Sequence, residues 1–260
     1  MATTAHTTAS ATAPTAAWPF PRWIAHRGAG KLAPENTLAA FRLGAAHGYR
    51  AFECDVKLSA DGVPFLLHDA TLERTTSGQG VAGDQPWSAL SRLDAGSWHG
   101  RLHAGEPLPT LAGLARFILA NGLQLNIEIK PTPGQETVTG RVVAEHAAQL
   151  WAGAAVPPLL SSFRPEALQG ARDTAPQLPR ALLLDSLWPG CLDTAAQLGC
   201  VAIVTNHTLM DAALLAKARQ AGWLAMVYTV NEPADASRLL ALGVDGLITD
   251  AVDRFAPAAV

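Results

Sequence analysis

The chain has 260 residues, 49% of them hydrophobic, and a net charge of −3, which suits one large α/β domain with a substantial core. The slightly acidic balance, without any Lys/Arg cluster, excludes a typical nucleic-acid-binding surface. No apolar run is long enough to span a bilayer, and three cysteines are too few for a disulfide framework, so we expect a cytoplasmic protein.

Residues 1–20 are predicted to form a disordered tail. The first 17 residues are mostly Ala and Thr and include no Lys or Arg. A secretory signal needs a basic start and a continuous apolar stretch, and this segment has neither. The folded domain is therefore predicted to cover residues 21–256.

Short apolar runs then alternate with Ala- and Leu-rich segments. This alternation predicts a parallel sheet flanked by helices, and eight strands fit closure into a TIM (β/α)₈ barrel. An open doubly wound sheet is the alternative, but no Gly-rich dinucleotide fingerprint follows the first strand. The predicted strands are residues 23–26, 51–56, 123–129, 158–162, 180–184, 201–204, 224–230 and 246–249. The predicted helices include residues 38–46, 137–150, 165–171 and 211–221.

Residues 63–68 interrupt this alternation. Only six residues separate them from the strand at 51–56, too few for the crossover that parallel neighbours need. The dipeptide Asp61-Gly62 between them is a hairpin-turn signal. We therefore expect an extra, antiparallel hairpin strand beside the second barrel strand.

The segment from residue 69 to about 113 carries few strand or helix signals and is rich in Gly, Ser and Trp. A loop this long inside a compact domain is usually functional. We expect a small insertion that acts as a lid or lines a substrate pocket, and an excursion without function is the alternative.

The second predicted strand alternates between apolar and acidic side chains. Phe52, Cys54 and Val56 share one face, and Glu53 and Asp55 share the other. Because helices cover the outside of a barrel, the apolar face should point outward and the carboxylates into the barrel mouth. Like charges this close repel unless a cation neutralises them, and oxygen ligands select Mg²⁺ or Ca²⁺.

The third predicted strand adds another acidic group on an inward face. Asn126, Glu128 and Lys130 share that face, near the end of the strand where barrel active sites lie. Glu128 would complete a three-carboxylate metal site with Glu53 and Asp55. The alternative is a buried Glu128–Lys130 ion pair with a structural role, although desolvation makes such a pair a poor stabiliser.

Two histidines are predicted at the same end of the barrel. His26 ends the first strand and His68 ends the hairpin strand. A two-residue turn at the hairpin signal sets His68 opposite Asp55, and a turn one residue earlier sets it opposite Glu53. Both registers put His68 on the carboxylate face. Imidazole titrates near neutrality, so the pair suits a general acid and a general base, although either could instead ligate the metal.

Arg27 directly follows His26, and its planar guanidinium can bind the oxygen atoms of an anion such as a phosphate. Beside a metal site and two histidines, Arg27 and Lys130 would neutralise negative charge that develops on a phosphodiester. The sequence therefore predicts phosphoryl-transfer chemistry.

An ordered series of motifs runs from about residue 22 to residue 253. The motifs are His26-Arg27-Gly28, Pro34-Glu35-Asn36-Thr37, Glu53-Cys54-Asp55-Val56, Asp61-Gly62-Val63-Pro64, His68-Asp69, Asn126-Ile127-Glu128-Ile129-Lys130, Ser161-Ser162-Phe163, Tyr228-Thr229-Val230-Asn231 and Gly246-Leu247-Ile248-Thr249-Asp250. This set resembles the glycerophosphodiester phosphodiesterases and looks closest to their bacterial cytoplasmic branch. Each motif is common alone, whereas the ordered set is highly specific. One departure is Tyr228, which stands where many members carry Trp.

The resemblance implies hydrolysis of a small-molecule glycerophosphodiester, such as glycerophosphocholine or glycerophosphoethanolamine, to sn-glycerol 3-phosphate and an alcohol. Attack by water and attack by the substrate's own glycerol 2-hydroxyl both stay open. The resemblance implies one divalent cation, Mg²⁺ or Ca²⁺, on Glu53, Asp55 and Glu128, acid–base roles for His26 and His68, and phosphate contacts from Arg27 and Lys130.

Three other residues lie outside this predicted set. Glu35 could lie near the metal or cap the helix that begins around Leu38. Phe163 and Tyr228 follow strands and could line a glycerol or alcohol pocket.

Two other functions are compatible with such a barrel. One is a phospholipase D-like phosphodiesterase, but those enzymes work on membranes and are generally secreted. The other is a metal-binding barrel without turnover, against which the full set of charged residues argues.

Overall fold

The computed structural model describes residues 21–255 and 257, so the predicted N-terminal tail lies outside the described residues. Within these residues, nine strands form one sheet. The strands are β1 (Trp23–Ala25), β2 (Ala51–Leu58), β3 (Pro64–Leu66), β4 (Gln124–Ile129), β5 (Leu159–Ser162), β6 (Arg180–Leu184), β7 (Ala202–Asn206), β8 (Leu224–Tyr228) and β9 (Gly246–Thr249). All except β3 run parallel, and they close because β1 pairs with both β2 and β9. The predicted TIM barrel is confirmed.

Helices connect the strands on the outside of this barrel. They are α1 (Leu38–Ala46), α2 (Trp87–Leu90), α3 (Leu111–Ala120), α4 (Glu136–Leu150), α5 (Pro165–Thr174), α6 (Cys191–Gln197), α7 (Ala212–Gln220) and α8 (Pro233–Leu242). Side-chain oxygens of Thr37, Thr110 and Asp211 accept backbone N–H bonds at the starts of α1, α3 and α7, which explains where these helices begin. In the described ranges, no helix combines the length and the apolar character needed to cross a membrane.

Two apolar layers build the core. Outward-facing strand residues such as Phe52, Cys54 and Ile127 are fully buried against the helices. Inward-facing residues such as Ile24 and Val204 pack inside the barrel. Each fully buried residue of the size of Phe or Ile contributes about 1.5–3 kcal/mol. Charged residues occupy the inner face of β2 and β4, at Glu53, Asp55 and Glu128, and these residues create the site.

The predicted hairpin strand is confirmed, but both predicted registers are wrong. β3 lies antiparallel to β2 with Val56 opposite Leu66. The turn is one residue longer than predicted, because Ser59 N donates to Val63 O at 3.1 Å and Gly62 N donates to Ser59 O at 2.9 Å. Gly62, at φ +80°, supplies the left-handed residue that such a three-residue loop requires.

The longer turn changes how His68 reaches the barrel mouth. Extended as a strand, the observed register would set His68 opposite Cys54, whose side chain faces the helices. Instead β3 ends at Leu66, and the chain bends at His68 after Leu67 N donates to Asp55 O at 3.2 Å. A bend in the chain, and not strand pairing, therefore brings His68 to the site.

The segment between β3 and α3 folds onto the barrel as a small unit. It contains the 3₁₀ helices Ala82–Asp84 and Arg101–His103 and the single-turn helix α2 between them. Its apolar cluster consists of Phe65, Leu67, Leu72, Ala82, Leu90, Ala95 and Leu108. Most of the predicted insertion, residues 69 to about 113, falls in this segment, although α3 already begins at Leu111.

Candidate active site

Three carboxylates meet near the C-terminal ends of β2 and β4. Glu53 and Asp55 alternate with outward-facing apolar residues on β2, so both point into the barrel. Asp55 lies opposite Glu128 on β4. One oxygen of each carboxylate lies within 4.8 Å of the others, and all three residues are buried. The structure thus brings the predicted acidic set to one point.

The pKa values of the three carboxyl groups reflect the repulsion between their negative charges. Burial and the neighbouring Asp55 charge raise the pKa of Glu53 to about 8, and the same two causes raise the pKa of Glu128. Burial acts on Asp55 too, but nearby cationic groups, Arg27 foremost, outweigh it and lower the pKa of Asp55 to about 2. The three groups therefore ionise together only if further positive charge is added.

The donor set fits a divalent cation. Glu53 Oε1 and Asp55 Oδ1 are buried without a hydrogen-bond partner in the part of the chain that the structure describes. Both polar atoms of the Asn126 side chain are likewise buried without a described hydrogen-bond partner. Asn126 lies on β4, opposite Glu53 of β2. Buried polar atoms normally have partners, so these atoms point to a bound group. A set of carboxylate oxygens is typical of Mg²⁺ or Ca²⁺ sites.

His26 follows β1 and lies above Glu53. Its Nδ1 donates to Asp250 Oδ1 at 2.6 Å, because an ionised carboxylate can only accept. Burial raises the pKa of Asp250, but this bond, the charge of His26 and the hydrogen bond from Asn231 together outweigh it, and the pKa falls to about 2. Burial lowers the pKa of His26, but the bond to Asp250 and the negative charges of Glu53 and Asp250 together outweigh it, so the pKa of His26 is raised. The free Nε2 lies 3.8 Å from Glu53 Oε2 and faces the cavity.

His68 is held in a similar way on the other side of the cavity. Its Nδ1 donates to Asp69 Oδ1 at 2.7 Å. The pKa of Asp69 is lowered, first by its hydrogen bonds with Arg74 and then by the bond with His68, while burial lowers the pKa of His68. Both imidazoles line a cavity of about 150 Å³ together with Glu53 and Glu128. Each histidine therefore presents its Nε2 from an anchored ring.

Arg27 and Lys130 bring positive charge to the carboxylates. Arg27 N donates to Glu53 Oε2 at 3.1 Å, and Arg27 Nε lies 3.1 Å from Asp55 Oδ2. Lys130 Nζ lies 2.9 Å from Glu128 Oε1 and 3.8 Å from Asp55 Oδ1. The Glu128–Lys130 ion pair thus forms, but Lys130 lines the cavity and its side chain is 21% exposed. The pair borders the site and is not sealed in the core.

Glu35 does not cap α1, because the cap is Thr37. It is not part of the carboxylate cluster found among the described residues, but it lies near that cluster, since the charge of Asp55 acts on the pKa of Glu35. Glu35 Oε1 accepts from Arg27 Nη1 at 2.9 Å and from Arg74 Nη2 at 2.7 Å. It is therefore a bridge between two arginines.

Two residues that support His26 were not predicted from the sequence. Asn231 Nδ2 donates to Asp250 Oδ2 at 3.0 Å, and Asp250 N donates to Asn231 Oδ1 at 2.9 Å. Asn231 lies shortly after β8 and Asp250 directly after β9. Polar residues just beyond barrel strands often serve the active site, and this position was the signal that could have identified them.

Two further polar residues beside Asp55 were also missed. Asn36 Nδ2 donates to Asp55 Oδ2 at 2.8 Å and its Oδ1 accepts from Asp55 N at 3.1 Å. Lys57 continues the inner face because β2 runs two residues beyond the predicted end. Its Nζ donates to Lys130 O at 3.1 Å, and burial lowers the pKa of Lys57 to about 8. The alternation Glu53-Asp55-Lys57 was the available signal.

Apolar and aromatic side chains also line the cavity. Phe163, Leu183 and Tyr228 line it, and the rings of Phe163 and Tyr228 make an edge-to-face contact with centroids 5.7 Å apart. Lys130 Nζ lies 5.5 Å from the centre of the Phe163 ring. The cavity is therefore lined by both charged and apolar side chains.

Comparisons with known proteins agree with the family resemblance seen in the sequence motifs. The model of the glycerophosphoryl diester phosphodiesterase family matches residues 26–254. A putative glycerophosphodiester phosphodiesterase, YhdW of Bacillus subtilis, is 32% identical over 237 residues, which cover 88% of this chain and 94% of the relative. A glycerophosphodiester phosphodiesterase of Caldanaerobacter subterraneus is 32% identical over 231 residues, with 87% and 93% covered.

A solved structure is similar in both fold and sequence. It is an Oleispira antarctica phosphodiesterase in complex with the product sn-glycerol-3-phosphate, with a TM-score of 0.85 and 34% identity over 90% of this chain and 95% of that chain. Together with the fold, these matches define the chain as a TIM-barrel phosphoric diester hydrolase. The chain belongs to the glycerophosphoryl diester phosphodiesterase family.

Proposed function

We propose that this protein hydrolyses glycerophosphodiesters such as glycerophosphocholine or glycerophosphoethanolamine to sn-glycerol 3-phosphate and an alcohol, with one divalent cation. The observation that carries the proposal is the meeting of three buried carboxylates, within 4.8 Å of one another, in a cavity lined by two anchored imidazoles. The product bound by the Oleispira antarctica relative supports the glycerol phosphate half of the substrate.

Glu53, Asp55 and Glu128 are the proposed ligands of Mg²⁺ or Ca²⁺. When bound, the cation would supply the positive charge that stabilises the phosphodiester as negative charge develops on it. Arg27 and Lys130 would contact the remaining phosphate oxygens, because both side chains line the cavity. Asn36 would hold Asp55 in place through its two hydrogen bonds.

His26 and His68 are the proposed general acid and general base. Each ring is anchored at Nδ1 by a carboxylate, so Nε2 is the atom that gives or takes a proton. Cleavage needs one proton removed from the attacking hydroxyl group and one delivered to the leaving alcohol. The same two histidines serve whether water or the glycerol 2-hydroxyl of the substrate attacks phosphorus.

The experiment is an assay of sn-glycerol 3-phosphate release from glycerophosphocholine and glycerophosphoethanolamine, with Mg²⁺, with Ca²⁺ and with excess chelator. We expect release with metal and none with chelator. Metal binding without release from any glycerophosphodiester would favour a non-catalytic barrel. Release of choline from choline lipids in liposomes, with no release of glycerol 3-phosphate from either glycerophosphodiester, would favour the phospholipase D-like alternative. The cytoplasmic location stays a prediction.

Metal uptake is expected to release about one proton at pH 7. The pKa of Glu53 is raised to about 8 without metal, so its carboxyl group is protonated at pH 7 and must ionise to bind a cation. Above pH 8 the group is already ionised, so the released fraction should fall and the apparent affinity should level off. Titration calorimetry in buffers of different protonation enthalpy measures this number. Metal binding at pH 7 without proton release would contradict a protonated Glu53 that ionises when it binds the cation.

A further inference from the structure

Arg74, from the segment between β3 and α3, holds two carboxylates at once. Its Nε donates to Asp69 Oδ2 at 2.6 Å and its Nη2 to Asp69 Oδ1 at 2.9 Å. Its Nη1 donates to Glu35 Oε2 at 2.8 Å, and Nη2 also donates to Glu35 Oε1 at 2.7 Å. Both contacts are bidentate, the geometry in which the planar guanidinium fixes the orientation of a carboxylate.

Each carboxylate held by Arg74 holds a residue of the active site in turn. Asp69 accepts from His68 Nδ1 at 2.7 Å. Glu35 accepts from Arg27 Nη1 at 2.9 Å. His68, the proposed proton-transfer group, and Arg27, the proposed phosphate contact, are thus connected through the side chain of Arg74. Arg74 itself is not among the residues that line the cavity.

We propose that Arg74 is a positioning residue through which the β3–α3 segment fixes both His68 and Arg27; this rests on the roles given to those two residues above. Without Arg74, Asp69 has one partner fewer, and the His68 ring can turn or change tautomer. Glu35 also loses its second cation, so it binds Arg27 more tightly and draws the guanidinium away from the phosphate. The chemical step and substrate binding should therefore both suffer.

Single substitutions separate the two branches. Asp69→Asn offers His68 an amide and permits the wrong tautomer, so kcat should fall on the order of 10²-fold or more with little change in KM. Glu35→Gln releases Arg27 from its carboxylate and should alter KM more than kcat. Arg74→Gln should lower kcat about tenfold, which is a common effect of losing a group that orients an active-site residue. It should change KM as well. Adding Arg74→Gln to Asp69→Asn should lower kcat by less than Arg74→Gln does alone, because both act on the same ring.

The matched control is Arg219→Gln. Arg219 Nη1 pairs with Asp245 Oδ2 at 2.8 Å, and its side chain is 45% exposed against 44% for Arg74. Asp245 directly precedes β9, so this pair lies at the other end of the barrel. The control should keep kcat and KM within twofold of the wild type.

Guanidinium ion at millimolar concentration should restore part of kcat to Arg74→Ala, because the guanidinium site is partly open to solvent, and should leave an Arg219→Ala enzyme unchanged.

A readout independent of turnover completes the test. In ¹H–¹⁵N spectra of the histidine rings, with His68 assigned from a His68→Ala sample, the wild type should show one tautomer protonated at Nδ1. Arg74→Gln should show exchange between tautomers. An unchanged single tautomer together with unchanged kcat and KM would overturn the proposal. If the wild type releases glycerol 3-phosphate from no substrate, the proposed function fails, and the spectra still decide whether Arg74 positions His68.

Discussion

A His68→Ala variant is expected to lose about 10²–10⁴-fold in kcat and to keep its fold, because that is the usual contribution of a positioned acid or base. The ring is half-buried at the cavity and anchored at Nδ1 by Asp69. Alanine removes the group that exchanges protons at Nε2 but leaves the carboxylates, Arg27 and Lys130 in place. Steady-state kinetics with glycerophosphocholine measure the loss, and metal titration of the same sample should give the wild-type affinity.

A histidine outside the site provides the control. His146 on α4 is also half-buried, and within residues 21–255 and 257 its ring bonds only to a backbone carbonyl of its own helix, Val142 O, at 2.9 Å. His146→Ala should keep kcat within twofold. His68→Ala with ordinary activity would remove His68 from the mechanism. A loss of metal affinity equal to the loss of kcat would make His68 a ligand, which the sequence analysis left open.

The barrel was predictable because its strands and helices are local patterns. Runs such as residues 181–184 are apolar on both faces, and helices begin where Thr37 or Asp211 can cap them. The inward direction of Glu53 and Asp55 follows from the period of two along a strand. These features depend on neighbours within a few residues, so the sequence alone contains them.

The hairpin register was wrong because it depends on the backbone of three turn residues. A two-residue turn and a three-residue turn both accept Asp61-Gly62, and the sequence does not choose between them. The choice was made by the Ser59–Val63 pairing, which places Gly62 at positive φ. The position of His68 was predicted correctly for a reason that does not hold, since a bend replaces the expected strand.

The position of Asp250 just after a strand was a local signal, but which residue each supporting group contacts was beyond the reach of local patterns. Asp250 lies 224 residues from His26, and Arg74 lies 39 residues from Glu35. These pairs form only after the barrel closes and the β3–α3 segment folds against it. Long-range contacts of this kind leave no period or spacing in the sequence, whereas the carboxylates that they surround do.

Glu128→Gln is expected to weaken metal binding by at least about 100-fold, or about 2.7 kcal/mol. Loss of a group that merely orients a ligand lowers affinity 10–100-fold, so loss of a charged ligand should exceed that range. The variant keeps the shape of the side chain and removes one of three carboxylates that lie within 4.8 Å. Glycerol 3-phosphate release should fall at every metal concentration that saturates the wild type.

Glu128→Gln is also expected to affect the stability of the metal-free protein, in the opposite direction to its effect on metal binding. Burial and the charge of Asp55 raise the pKa of Glu128, which shows that its ionised form is unfavourable in the metal-free site. Gln removes this repulsion at constant volume, so the Tm without metal should equal or exceed that of the wild type, while the rise in Tm on adding metal should vanish. Glu145→Gln, at an exposed position of α4, should change neither quantity. A Glu128→Gln protein that loses stability without metal yet binds metal normally would assign Glu128 to its ion pair with Lys130, and the proposed three-carboxylate metal site would fail.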